Sequence, residues 1–198
     1  MIASKLQLKI FAKPARGVAL DTFIPIFHRW LKDHVLAELS IDIANYAHVP
    51  KGPGVVLIGH NCDYFIDESD GRLGLLHNRK RGSIAPEARL EDLFRRTVHA
   101  AALLEKEPAL GGTVTFPPNE FLFRINDRLA APASDETFAA LRPELEALGR
   151  RLFGGPFELT RAGDAKSLFS VRMTSPAESA SLGTLLGRLG GPPAADLP

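Results

Sequence analysis

The sequence predicts an α+β fold, a mostly antiparallel sheet with three helices packed on it. Three observations carry that expectation. Short segments alternating apolar and polar residues recur along the chain, the period of half-buried strands. Three longer segments place apolar residues at helical spacing, beginning near Thr22, Pro86 and Ser134. Each of these is followed by two strand-like segments, an order that favours antiparallel neighbours.

Residues 5–12 form the first strand, with Leu6, Leu8 and Ile10 on one face and Lys5, Gln7 and Lys9 on the other. Residues 14–17 make a loop. Thr22 caps the first helix and leaves Pro25 in its first turn, where a missing N–H matters least. Phe23, Phe27, Trp30, Leu31 and His34 share a face, which predicts a buried Trp30. Residues 39–46 alternate again, with Leu39, Ile41 and Ile43 against Ser40, Asp42 and Ala44. After a Pro/Gly turn at 51–54 comes the apolar run 55–58, the mark of a strand buried on both faces.

A hairpin follows over 64–76. A three-residue loop at Ser69-Asp70-Gly71, with Gly71 left-handed, opposes Glu68 to Arg72. A two-residue Asp70-Gly71 turn is the competitor and shifts the register by one. Residues 83–87 lead into the longest helix, striped by Leu90, Leu93, Phe94, Thr97, Ala101 and Leu104 and ended before Pro108. Residues 114–116 and 120–129 are two strands joined at Pro117-Pro118-Asn119. Ser134 caps a third helix with Pro143 inside it, a predicted kink, and Gly154-Gly155 ends it. A second hairpin, 157–161 with 168–173, closes the domain.

The second and third helix–strand–strand stretches correspond loosely, LGGTVTFPPNEFLFRI against FGGPFELTRAGDAKSLFSV. They are consistent with a repeated helix–hairpin unit, or with two independent uses of a common arrangement. Residues 1–173 therefore form a single domain. Residues 174–198, rich in Ser, Ala, Gly and Pro, read as a flexible tail. Within that tail Leu182, Leu185, Leu186 and Leu189 make one stripe of about two helical turns. Ser179 or Ser181 caps its start, and Gly190-Gly191-Pro192-Pro193 stops it. So short a helix does not hold alone in water, so the stripe must fold against its own domain, a second copy or another protein, and the flanking Ser/Ala/Gly/Pro tethers favour an interaction motif over a core element.

Composition excludes several function classes. The chain has 198 residues, 45% hydrophobic and 24% charged, enough for one core without metal or disulfides. Lys+Arg number 24 and Asp+Glu 23, a net charge of +1, which argues against a dedicated nucleic-acid binder. One cysteine, Cys62, allows no internal disulfide and fits a reducing compartment. The first residues lack the apolar run of a signal peptide, and no stretch of 18 apolar residues predicts a membrane span. The cytoplasm is the expected location.

The polar concentration is His60-Asn61-Cys62-Asp63-Tyr64, with His77-Asn78-Arg79-Lys80-Arg81 as its expected hairpin partner. The three-residue loop sets Asp63 opposite His77, Cys62 opposite Asn78 and Asn61 opposite Arg79. An Asp–His pair orients a general base, and Cys62 beside His60 is a candidate activated thiol. The competing reading is a ladder of hydrogen bonds around one buried thiol. His60, Asp63 and His77 are also the best metal candidates, but no H-E-x-x-H or Cys/His cluster supports them, and no metal or cofactor is expected. The acidic run 67–71 fails calcium-loop spacing. No phosphate-binding glycine motif is present. Arg79, Lys80 and Arg81, with Arg95 and Arg96, make either an anion patch or a solvated face.

Two functions are consistent with these features. One is a non-catalytic cytoplasmic binding or assembly protein that uses its sheet edge and its tail, through self-association or a protein partner. The other is a small hydrolase or transferase with His60, Cys62, Asp63 and His77 around one pocket.

Overall fold

A computed structural model describes residues 3–14, 18–50, 52–82, 84–176 and 180–194. The chain runs β1 (Leu6–Phe11), β2 (Lys13–Pro14), α1 (Phe23–Asp33), β3 (Ser40–Tyr46), β4 (Gly54–Gly59), β5 (Cys62–Asp67) and β6 (Gly74–Arg79). It continues through α2 (Arg89–Glu105), β7 (Val114–Thr115), β8 (Glu120–Ile125), α3 (Asp135–Phe153), β9 (Glu158–Ala162), β10 (Phe169–Thr174) and α4 (Leu182–Arg188). Eight strands form one sheet in the order β3-β4-β5-β6-β1-β8-β10-β9, every neighbour antiparallel. This is the expected α+β class. Residues 15–17 of the expected first loop, Ser83 and Ser179 lie outside the described residues.

The alternation of β1 decides the layering. Leu6, Leu8 and Ile10 are fully buried and share a face with His77, Tyr64, Leu57, Phe123 and Val171 across the ladder. The helices cover that face. α1 brings Phe27 and Trp30, and α2 brings Leu93, Phe94 and Leu104, into the same core. Trp30 is fully buried as expected, and its indole Nε1 donates to Glu107 Oε1 at 2.6 Å. α1 ends at His34 in the left-handed conformation. Ser134 caps α3 by accepting from the Thr137 amide, and Pro143 lies inside that helix.

Four expectations need correction. A fourth helix joins the three, because the leucine stripe of the tail has a place to fold. Leu182, Leu185 and Leu189 are buried, α4 contacts α2 and α3, and Arg95 Nε donates to the Leu189 carbonyl at 2.7 Å. The stripe therefore belongs to the chain's own core, and only Leu186 is left half-buried. Second, β7 does not pair with β8. It pairs with β2 in a separate two-stranded ladder, while β8 lies between β1 and β10. Helix followed directly by hairpin thus holds for α1 with β3–β4 and α3 with β9–β10, not for α2.

Third, the polar segment at 60–64, which follows the apolar run 55–58 so closely that the sequence reads as one continuous strand, does not prolong β4. The chain reverses at His60-Asn61, so β4 and β5 form a tight hairpin in which Ile58 faces Asp63. Fourth, the β5–β6 register is the one of the competing reading, although residues 68–73 form a longer loop than a two-residue turn: Tyr64 faces His77, Asp63 faces Asn78 and Cys62 faces Arg79. The physical reason is Lys9. Its side chain is fully buried on the sheet face away from the helices, and its Nζ needs acceptors. It donates to Asp67 Oδ2 at 2.7 Å, Asp70 Oδ1 at 2.6 Å and the Arg72 carbonyl at 2.7 Å. The loop over 68–73 wraps that ammonium and supplies two of its acceptors. The Glu68 carbonyl still accepts from the Gly71 amide, and Gly71 is left-handed at φ +79°. Gly74 makes the passage possible, since a Cβ there would stand 2.6 Å from Lys9 Cε and from the Ile10 carbonyl.

Candidate functional site

The segment expected to carry chemistry lies at one end of the sheet, where the β4–β5 turn meets the end of β6. Backbone bonds fasten the two together: the Asn61 carbonyl accepts from the amides of Lys80 and Arg81 at 2.9 and 3.2 Å. The one-residue register change then sorts the side chains onto opposite faces.

On the helix-covered face stand Cys62, Tyr64, His77 and Arg79. Tyr64 and His77 are stacked, with centroids 4.7 Å apart and planes within 4°. His77 Nδ1 lies 3.3 Å from the Leu93 carbonyl and 3.2 Å from Thr97 Oγ1. The carbonyl accepts only, which assigns the proton to Nδ1 and leaves Nε2 with a lone pair. Among the described residues Nε2 is buried without a partner. Burial, with Arg96 and Arg79 nearby, pulls His77 down to about 3, so the ring is neutral at physiological pH.

Cys62 sits against a residue that sequence reasoning missed. Glu38 is buried; its Oε1 accepts from the Asn61 amide at 2.6 Å, and its Oε2 lies 3.0 Å from Cys62 Sγ. Burial and the Glu38 carboxylate both push the thiol well above its usual range. Cys62 is therefore held as a hydrogen-bond donor, the reverse of an activated nucleophile. Burial likewise pushes the Tyr64 phenol up. The sequence signal for Glu38 was slight: a lone acid just before an alternating strand looks like a solvated residue.

On the opposite face, Asp63 accepts from Lys80 Nζ at 2.6 Å and from Asn78 Nδ2 at 3.2 Å. Asp63 and His77 thus lie on different faces and form no pair, contrary to expectation. His60 is exposed in the turn, and its carbonyl accepts from Arg81 Nε at 2.8 Å. The four residues expected around one pocket are therefore distributed over the two faces and the turn. Among the described residues no group of three or more His, Cys, Asp or Glu is placed to hold a metal ion.

The three consecutive cations separate as well. Lys80 is committed to Asp63 and to the Gly59 carbonyl at 2.7 Å. Arg81 alone is exposed. Arg79 is buried, with Nη1 3.5 Å from Asp92 Oδ2. Burial pulls its guanidinium below the usual value while Asp92 opposes. Asp92 also accepts from Arg96 Nε at 3.0 and 3.1 Å.

Two further features lie away from this end. The sheet face without helices carries the Lys9 cluster beside Arg72, which makes a two-pronged bond to Glu120 at 2.7 and 2.8 Å and covers the Phe11 ring at 3.8 Å. Glu120 also pairs with Arg172. At the sheet edge, β3 has a register shift between Ser40 and Asp42 and leaves Leu39 47% and Ile41 55% exposed, with Tyr46 exposed farther along.

Among the described residues no helix is long and apolar enough to cross a membrane. Neither a protein-family model, nor a curated protein, nor a solved structure matches the chain.

Proposed function

We propose that this protein is a non-catalytic assembly module that associates with a second copy of itself through the free edge of β3. The observation that carries the reading is the composition of that edge. Edge strands of proteins that remain apart carry lysine, proline or inward charge. β3 carries one charge, Asp42, and its neighbourhood exposes Leu39, Ile41, Tyr46 and Val49.

A second copy suits this strand for two reasons. Antiparallel pairing centred on Ile43 opposes Asp42 to Ala44, so no like charges meet. It also closes about a two-fold axis, whereas joining β3 to the far edge, β9, would build an open filament. The leucine stripe of α4 no longer supports a docking role, because its own domain occupies it. The chemistry at the β4–β5 turn supports a non-catalytic role, since Cys62 is held protonated and His77 neutral and stacked. Cytoplasmic residence belongs to the same proposal and rests on the single buried thiol, which suits a reducing compartment.

Sedimentation of the native chain over a wide concentration range tests it. A reversible dimer is expected, and Ile41→Lys should weaken it at least about tenfold, in line with the cost of burying an unpaired charge in a strand interface. A monomer at every concentration, or a dimer indifferent to Ile41→Lys, removes the reading.

A further inference from the structure

Among the described residues at the turn end, the bonding of the Arg79 guanidinium is incomplete in a specific pattern. It is 4% exposed, and among the described residues its Nε and Nη2 are buried with no hydrogen-bond partner, while Nη1 faces Asp92. Nε–H and the adjacent Nη2–H are parallel donors along one edge of the guanidinium. That edge is the fork that takes two oxygens of a carboxylate or phosphate at once. A buried guanidinium with that edge empty is costly, and nearly all buried donors in folded proteins are satisfied.

The surroundings favour an anion. Arg96 also bonds Asp92, which places a second guanidinium beside Arg79. α2 begins beside them at Arg89 with no side-chain cap at Ala88, which adds the positive end of a 17-residue helix. Glycine backbone covers that edge at Gly82, at φ +119°. A Cβ there would lie 3.1 Å from Arg79 Nη2 and 3.6 Å from the Asn61 side chain, so backbone alone stands at that point.

We propose that the Nε/Nη2 edge of Arg79 is a binding site for a small-molecule oxyanion, entered past Gly82 between the β4–β5 turn and the start of α2. The shared chemistry is a pair of oxygens on one carbon or phosphorus; a phosphate or a carboxylate group supplies it. Lys80 takes no part, being bonded to Asp63, and Arg81 at the surface draws the anion in without holding it.

The test follows the arginine Nε–H resonances of the full chain by NMR while inorganic phosphate, and separately acetate, is titrated at constant ionic strength with sodium chloride. A saturable shift of the Arg79 resonance is expected. Phosphate acting alone identifies a phosphate-bearing ligand; acetate acting alone or equally identifies a carboxylate. Arg79→Lys keeps the charge and removes the fork, so residual binding read by thermal shift should weaken at least about tenfold. Arg81→Gln should leave the saturable shift in place. No saturable shift in the native chain with either anion overturns the site, whatever the variants do, and so does undiminished binding in a folded Arg79→Lys protein.

Discussion

Lys9 shows how one side chain sets the geometry of a loop. Its ammonium is buried on the sheet face without helices and takes three oxygen acceptors from the 67–72 segment. Removing the charge leaves Asp67, itself buried, without its partner. Lys9→Met should therefore destabilise the protein by about 3–5 kcal/mol in urea unfolding, and Lys9→Met with Asp67→Asn should recover part of that loss. His77 makes a second prediction at this scale. Its folded value is about 3, below the ordinary 6.5, so the unfolded chain binds the extra proton between those values. The stability it contributes is fully present above about pH 6.5 and is lost as pH falls toward 3, with a slope of up to ~1.4 kcal/mol per pH unit. Denaturation measured across that range should show the slope in the native protein and a shallower one in His77→Phe, which keeps a ring against Tyr64.

At the scale of elements, α4 is where the expected role and the observed one differ most. Seven residues have no standing as an isolated helix. Two further supports hold it. Ser181 caps it by accepting from the Thr184 amide, and the Gly191 amide donates to the Leu186 carbonyl at its end. Leu185 is fully buried beneath it. Leu185→Ala should cost about 2–5 kcal/mol in chemical denaturation and leave the sedimentation behaviour unchanged. A changed oligomeric state with intact stability would return the stripe to an interface. β3 is the complementary case. Its sequence alternates as a half-buried strand's does, yet it ends as the sheet edge, with Ser40 buried and Leu39 and Ile41 exposed beside the register shift at Ser40/Asp42.

For the whole molecule, the sheet places its N-terminal strand at the centre, between β6 and β8, so the core closes only when distant parts of the chain meet. Cys62 lies inside that core and is held protonated by burial and Glu38. Its modification by a thiol reagent should follow global unfolding: slow in native protein and immediate in denaturant, with one thiol counted. Fast reaction under native conditions would mean that the β4–β5 end opens on its own, and it would revive Cys62 as a reactive group.

The sequence alone determined what depends on neighbours along the chain. Alternation located β1, β3 and the apolar run of β4, helical spacing located α1, α2 and α3, and Ser134 and Gly154 marked the ends of α3. The burial of Trp30 followed from its stripe. Even the short helix at 182–188 was legible as a stripe, because periodicity is a local property. What only the tertiary structure decided depends on partners far apart in sequence. The β5–β6 register was open between two turns until Lys9, some sixty residues away, demanded acceptors in the loop. That single-residue step moved Asp63 to the face opposite His77, because side chains in a strand alternate. Glu38 reached Cys62, Glu107 reached Trp30, and the leucine stripe found α2 and α3 by packing that no local pattern encodes. Local spacing fixes which face a residue occupies within its own element, and only the pairing of elements fixes what that face meets.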